Sequence, residues 1–201
     1  MSSGLDILRN GISTLRQPAW NWRYYVDPHS LKTLCTLRVI EDAVRDCPFP
    51  PYERENIRDT IIANGTVTFC VLVYKRKERF MTNFLECDLY NALDCRLPLD
   101  KKSLTGIAEE AASDFFEAQW EFRPVILTRN RHMQIDDECI LPFEMDEHDE
   151  ERDGSFGAIH TVVIQSSMQK LIDTEVKLFL LLLVLNLGLV LIDSTRNQPS
   201  K

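Results

Sequence analysis

The chain has 201 residues, 44% apolar and 27% charged, enough for one domain or a domain with a fragment, and a balance that excludes wholesale disorder, collagen-like and low-complexity classes. Its formal net charge is −8, from 31 carboxylates against 23 cations, so the chain as a whole lacks the basic footprint of a nucleic-acid binder. Ten carboxylates fall between Asp136 and Asp153 beside a single cation, Arg152, a local net of −9 that leaves the remainder at +1; such a window reads as a solvated, self-repelling connector.

In chain order, Leu5, Leu8, Ile12 and Leu15 recur every three or four residues and predict an amphipathic helix over 5–16, ended by Gln17-Pro18. Asp27-Pro28 reads as an N-cap followed by proline at the first helical position. Leu31, Leu34, Leu37, Ile40 and Val44 continue that helix on one face, up to the break at Cys47-Pro48-Phe49-Pro50-Pro51. A third helix is expected over Tyr52–Ala63, with Asn64-Gly65 as its stop. Asn64-Gly65-Thr66 also matches a glycosylation sequon, for which the helix stop is the simpler explanation.

Residues 66–85 carry two signals. Thr66–Tyr74 has the β-branched and aromatic content of a strand, whereas Phe80 and Phe84 keep helical spacing; helix is predicted over the whole. Asp100–Trp120 predicts another helix, with Leu104, Ile107, Ala111, Phe115 and Phe116 as its stripe. After Pro124, short apolar pieces (Val125-Ile126-Leu127 and Ile140-Leu141) alternate with charge as extended chain does, and Phe156–Ile164 alternates as a strand. No internal repeat is visible. The expected fold class is α+β: a mainly helical region over 1–123, an extended acidic connector over 124–153, and a β-rich start beyond it.

The six cysteines (Cys35, Cys47, Cys70, Cys87, Cys95, Cys139) form no CxxC pair, and no secretory signal opens the chain. Reduced thiols in a cytosolic or nuclear protein are therefore expected, with the cytoplasm as the localisation. Leu178–Ile192 is fifteen residues broken only by Asn186 and Gly188, short of the roughly 20 that a spanning helix needs. A buried element is the first reading, and a short membrane or tail-anchor helix over 178–192 the second.

The chemistry-bearing motif is Arg152-Asp153-Gly154-Ser155-Phe156-Gly157-Ala158-Ile159. Against G-x-G-x-x-G-x-V it keeps the second and third glycines and places Ile159 where a β-branched residue is wanted, with Arg152 at the first glycine position. Two strands joined by a small-residue turn present backbone N–H groups to phosphates only where side chains do not intervene. Thr174-Glu175-Val176-Lys177 reads as the end of a following strand, with Lys177 as a candidate phosphate partner. An ordinary hairpin turn for the glycines, and a flanking cation for Lys177, are the plainer alternatives. Other chemistries find no anchor. There is no G-x-S-x-G, and the spacings of His132, Cys139 and His148 match no zinc pattern. Lys75-Arg76-Lys77-Glu78-Arg79 reads as a solvated helix face, and Trp120 with Phe122 as core.

The order of several pieces carries a resemblance: Asn83-Phe84-Leu85 with Arg96-Leu97-Pro98-Leu99, then Phe115–Val125 (FFEAQWEFRPV), Ile140-Leu141-Pro142-Phe143, the acidic spacer, and Gly154-Ser155-Phe156-Gly157. From about Trp22 to Met168 the chain resembles the N-terminal extension and first kinase strands of filamentous-fungal protein-kinase-like proteins. The resemblance implies a helical region joined to the first strands of an incomplete protein-kinase-like N-lobe over 154–177. The apolar segment and polar tail 178–201 fit no kinase lobe. It implies nucleotide-binding positions at Gly154, Ser155, Phe156, Gly157, Ile159 and Lys177, with ATP held weakly or not at all. No His-Arg-Asp and no Asp-Phe-Gly occurs in the 201 residues, so neither a catalytic base nor a metal site is expected. The expected function is a non-catalytic kinase-like fragment whose helical region recruits a protein partner, with no nucleic acid and membrane contact only through 178–192. Two alternatives stand beside it. One is a working Ser/Thr kinase truncated in its gene model, the last stretch being misread sequence. The other is a helical interaction protein with a C-terminal membrane tail.

Overall fold

The computed structural model describes residues 3–19, 23–86, 93–128, 138–141, 143–145, 152–154, 157–164, 168–170, 176–181 and 191–193. The fold is α+β. The chain divides into two compact units, Met1–Gln17 with Tyr25–Arg123, and Pro18–Tyr24 with Pro124–Lys201.

The first unit is helical. Helix α1 (Gly4–Leu15) is capped by Ser3, whose hydroxyl accepts from the Asp6 N–H, and buries Leu5, Leu8 and Ile12 as its three-and-four spacing dictates. Strands β1 (Arg16–Pro18) and β2 (Tyr24–Val26) follow and form a two-stranded sheet. Helix α2 (Pro28–Leu34) starts on the Asp27-Pro28 signal, with the Asp27 carboxylate accepting from the Ser30 N–H at 2.8 Å and the Ser30 hydroxyl at 2.7 Å.

The helix predicted to run through Val44 is instead two. Helix α2 stops at Leu34, and α3 (Leu37–Asp46) restarts with Thr36 as its cap. The apolar period continues across the joint because both helices bury residues in one core, yet Thr36 prefers bonding the Val39 N–H to sitting mid-helix. Helix α1 packs on α3 so closely that a Cβ on Gly4 would lie 2.4 Å from the carbonyl carbon of Asp42. Glycine is required there by the close approach, not by a turn.

A second correction concerns Asn64-Gly65. Helix α4 (Arg54–Thr60) does not end there; a π-helical turn (Ile61–Gly65) carries it directly into α5 (Thr66–Tyr74). Gly65 is buried, and a side chain there would press on Leu93 and Met81. In α5, Thr68 to Val73 are all buried, six in a row. A helix apolar all round belongs in the middle of a core, and α1 and α7 (Glu109–Phe122) both pack against it. This explains why composition alone left the segment between strand and helix. Arg54–Tyr74, 21 residues, is long and apolar enough to cross a membrane, but 56% of its most apolar window is buried inside the fold.

The basic run Lys75–Arg79 is not a helix face. Helix α5 ends at Tyr74, Arg76 takes a positive φ of 58°, and a 3-10 turn (Glu78–Phe80) leads into α6 (Met81–Glu86). Lys77 pairs with Glu110 and with Asp114 on α7, and Arg9 of α1 pairs with Glu78 at 3.5 Å. Nor is Asp100–Ala108 helical. The Asp100 carboxylate accepts from the Ser103 N–H at 2.7 Å, and Gly106 takes a φ of +100°, so α7 starts only at Glu109. Leu104 and Ile107 are nonetheless buried, as their spacing suggested. A hydrophobic core running from Leu5 on α1 to Phe122 on α7 lies within this unit.

The second unit is β-rich. Strand β3 (Leu127–Thr128) pairs in parallel with β7 (Gln169–Lys170). The larger sheet is built on β6 (Gly157–Ile164). Strand β8 (Val176–Leu181) pairs along one edge of it, antiparallel. On the other edge, β4 (Phe143–Met145) pairs with residues 162–164 and β5 (Arg152–Gly154) with 157–159, both antiparallel. Part of the acidic connector is thus strand, because Phe143 and Met145 alternate about Glu144. Strand β9 (Leu191–Asp193) pairs antiparallel with β8. The apolar run after Lys177 therefore starts as a strand between two others, where continuous apolar sequence is expected, not as a helix; 182–190 lie outside the described residues.

Candidate nucleotide loop and the buried polar clamps of the helical unit

The glycine motif lies between β5 and β6. Their register pairs Arg152 with Ile159, Asp153 with Ala158 and Gly154 with Gly157. The last pair leaves only two residues, 155 and 156, to connect the strands, the shortest common hairpin connection. Ser155 and Phe156 themselves lie outside the described residues. Alternation along a strand puts Gly157, Ile159, Thr161 and Val163 on one face of β6. The register places Arg152 and Gly154 of β5, Glu144 of β4, and Lys177, Phe179 and Leu181 of β8 on that same face.

The structure thus brings Gly154, Gly157 and Ile159 together at one end of the sheet. It does not bring Lys177 to them. Lys177 pairs with Val163, six residues from Gly157, about 20 Å along a strand. It also stands near the start of β8, where the sequence suggested a strand end. The cause is the run-on of β8 to Leu181, which pairs with Ile159 and sets the register.

In the helical unit, the segments whose order carried the resemblance meet through buried polar groups that periodicity does not reveal. Gln119 on α7 is fully buried; its Oε1 accepts from the Leu99 N–H at 2.7 Å and its Nε2 donates to the Leu99 carbonyl at 2.8 Å. One side chain thereby satisfies both backbone groups of a residue twenty positions earlier, as buried backbone requires. The Asp94 carboxylate accepts from the N–H groups of Val67 at 2.8 Å and Thr68 at 2.9 Å, and from the Thr68 hydroxyl at 3.0 Å. It supplies the partners that the π-helical turn leaves unmet at the start of α5. Burial pushes this carboxyl above the usual range despite those bonds. The Arg123 guanidinium donates to the Asp94 carbonyl. Trp120 is buried, with Phe116 edge-on at 6.3 Å, so it is core.

Chemically these groups are clamps that hold backbone. Among the described residues no group of three or more His, Cys, Asp or Glu converges to hold a metal ion; His132 and His148 lie outside them. Comparison with protein-family models, curated proteins and solved structures finds no match to this chain.

Proposed function

We propose that the strands from Phe143 to Leu181 are the opening of a protein-kinase-like small lobe, and that these 201 residues act without phosphoryl transfer as a recruitment module. The carrying observation is the register at the glycine motif. Gly154 faces Gly157 across a two-residue connection, and Ile159 shares their face. That arrangement supports a loop over residues 154–157 whose backbone N–H groups meet the phosphates of ATP. Ile159 offers the apolar contact for its base. Lys177 stands too far along the sheet to share those phosphates, and the sequence holds neither His-Arg-Asp nor Asp-Phe-Gly. Phosphoryl transfer needs charge neutralisation by lysine and Mg²⁺ and a residue to accept the hydroxyl proton. A loop with none of these binds nucleotide weakly or not at all. The helical unit, which has a core of its own, then carries the role of engaging a protein partner.

The test is incubation of the purified chain with Mg²⁺ and γ-labelled ATP beside a variant lacking Gly157. The expected result is no labelled protein and no ATP turnover above that control. Turnover that disappears on deleting Gly157 overturns the proposal.

A further inference from the structure

The helical unit holds a second, independent feature. The sulfurs of Cys35 and Cys70 lie 3.3 Å apart, although the residues are 35 positions apart in sequence and sit on different helices. Cys35 closes α2, in a non-helical backbone conformation (φ −81°, ψ 56°), and is half-buried. Cys70 is on α5 in the middle of the core, with no exposure. The two therefore differ in what can reach them. Cys35 is partly exposed, whereas Cys70 has no exposed surface and touches Cys35.

Their protonation follows the same division. The hydrogen bond with Cys35 and the apolar side chains around it raise the Cys70 thiol well above an ordinary thiol. The same hydrogen bond lowers the Cys35 thiol, against burial and the nearby Asp94 carboxylate, which both oppose it. A partly exposed thiol with a lowered pKa, backed by a second thiol in contact, is the arrangement of an attacking and a resolving cysteine.

We propose that Cys35 and Cys70 form a peroxide-sensitive dithiol that closes to a disulfide and locks the end of α2 onto α5. The Cys35 thiolate attacks one oxygen of hydrogen peroxide; the O–O bond breaks, hydroxide leaves, and Cys35 becomes a sulfenic acid. The Cys70 sulfur then attacks the Cys35 sulfur. An S–S bond forms, the S–O bond breaks, and water departs with the hydroxyl and the Cys70 proton. Two thiols are oxidised by two electrons and one peroxide is reduced to two waters overall. The sulfurs close from 3.3 Å to the ~2.05 Å of a disulfide, a shift within reach of the non-helical backbone at Cys35. The bond would tie α2 to α5 and restrict the unfolded chain.

The experiment treats the reduced full-length chain with equimolar hydrogen peroxide, alkylates the remaining thiols and maps peptides by mass spectrometry, with a thermal melt of the same samples. Expected are a Cys35–Cys70 cross-linked peptide, an intact mass lower by two hydrogen atoms, and a rise in Tm that dithiothreitol reverses. Cys35→Ser should abolish the cross-link and the Tm rise, while Cys95→Ser, at an exposed cysteine, should keep both. Should either serine variant fold poorly, the peptide map of the wild-type chain still decides. Recovery of Cys35 and Cys70 as separately alkylated or over-oxidised residues overturns the proposal, as does cross-linking confined to other cysteines.

Discussion

Replacing Gln119 tests whether a single side chain holds the segment before α7 to the core. Its amide meets the Leu99 N–H at 2.7 Å and the Leu99 carbonyl at 2.8 Å, and reaches the Phe116 carbonyl at 3.3 Å. Gln119 is fully buried and Leu99 is 3% exposed, so water does not replace a lost partner. Gln119→Met keeps most of the volume and removes all three bonds, stranding both backbone groups of Leu99. Each stranded backbone group then costs about 1–3 kcal/mol, for a total of roughly 2–6 kcal/mol. Gln119→Ala adds a cavity cost to that. Against a domain stability on the order of 5–15 kcal/mol, either change takes a large share. The assay is urea unfolding followed by helical circular dichroism, with hydrogen exchange at the Leu99 amide as the local readout. The midpoint should fall sharply and the Leu99 amide should lose protection. A Met variant within about 0.5 kcal/mol of wild type, with that amide still protected, would refute the reasoning.

Three further substitutions follow from the packing and burial. Gly4→Ala places a Cβ 2.4 Å and 2.6 Å from backbone atoms of Asp42, so α1 and α3 must separate, at about 1–3 kcal/mol in the urea midpoint. Gly11→Ala meets only the end of the Leu34 side chain, at 2.6 Å; that side chain turns aside and alanine favours the helix by up to ~1 kcal/mol, so its loss should be clearly smaller. Cys47, 2% exposed, has its thiol pushed up to about 12 by burial and by neighbouring Glu78 and Asp46. An acid whose folded value lies above its unfolded one keeps its proton in the native state after the unfolded chain has lost it. Stability therefore falls as pH rises from about 9 toward 12, at about 1.4 kcal/mol per unit from this group. Cys47→Ala should show a shallower alkaline decline in denaturant midpoints, and an unchanged slope would count against the assignment.

Local signals in the sequence determined a great deal. The spacing of Leu5, Leu8 and Ile12, the Asp27-Pro28 start, and the alternation from Gly157 to Ile164 lie within single elements, because each depends on groups one or two turns away. The pairing of Gly154 with Gly157 is local in the same way, since only two residues separate them. What the tertiary structure decided depends on partners distant along the chain. Asn64-Gly65 carries a helix onward because Asp94, 27 residues from Val67, meets the open N–H groups. Gln119 owes its place to Leu99, and Cys35 meets a neighbour 35 positions away on α5. Lys177 lost its expected station when Leu181 paired with Ile159. A periodic pattern reports which face of an element is buried; it holds no record of what arrives from across the core to satisfy a buried polar group or to fix a register.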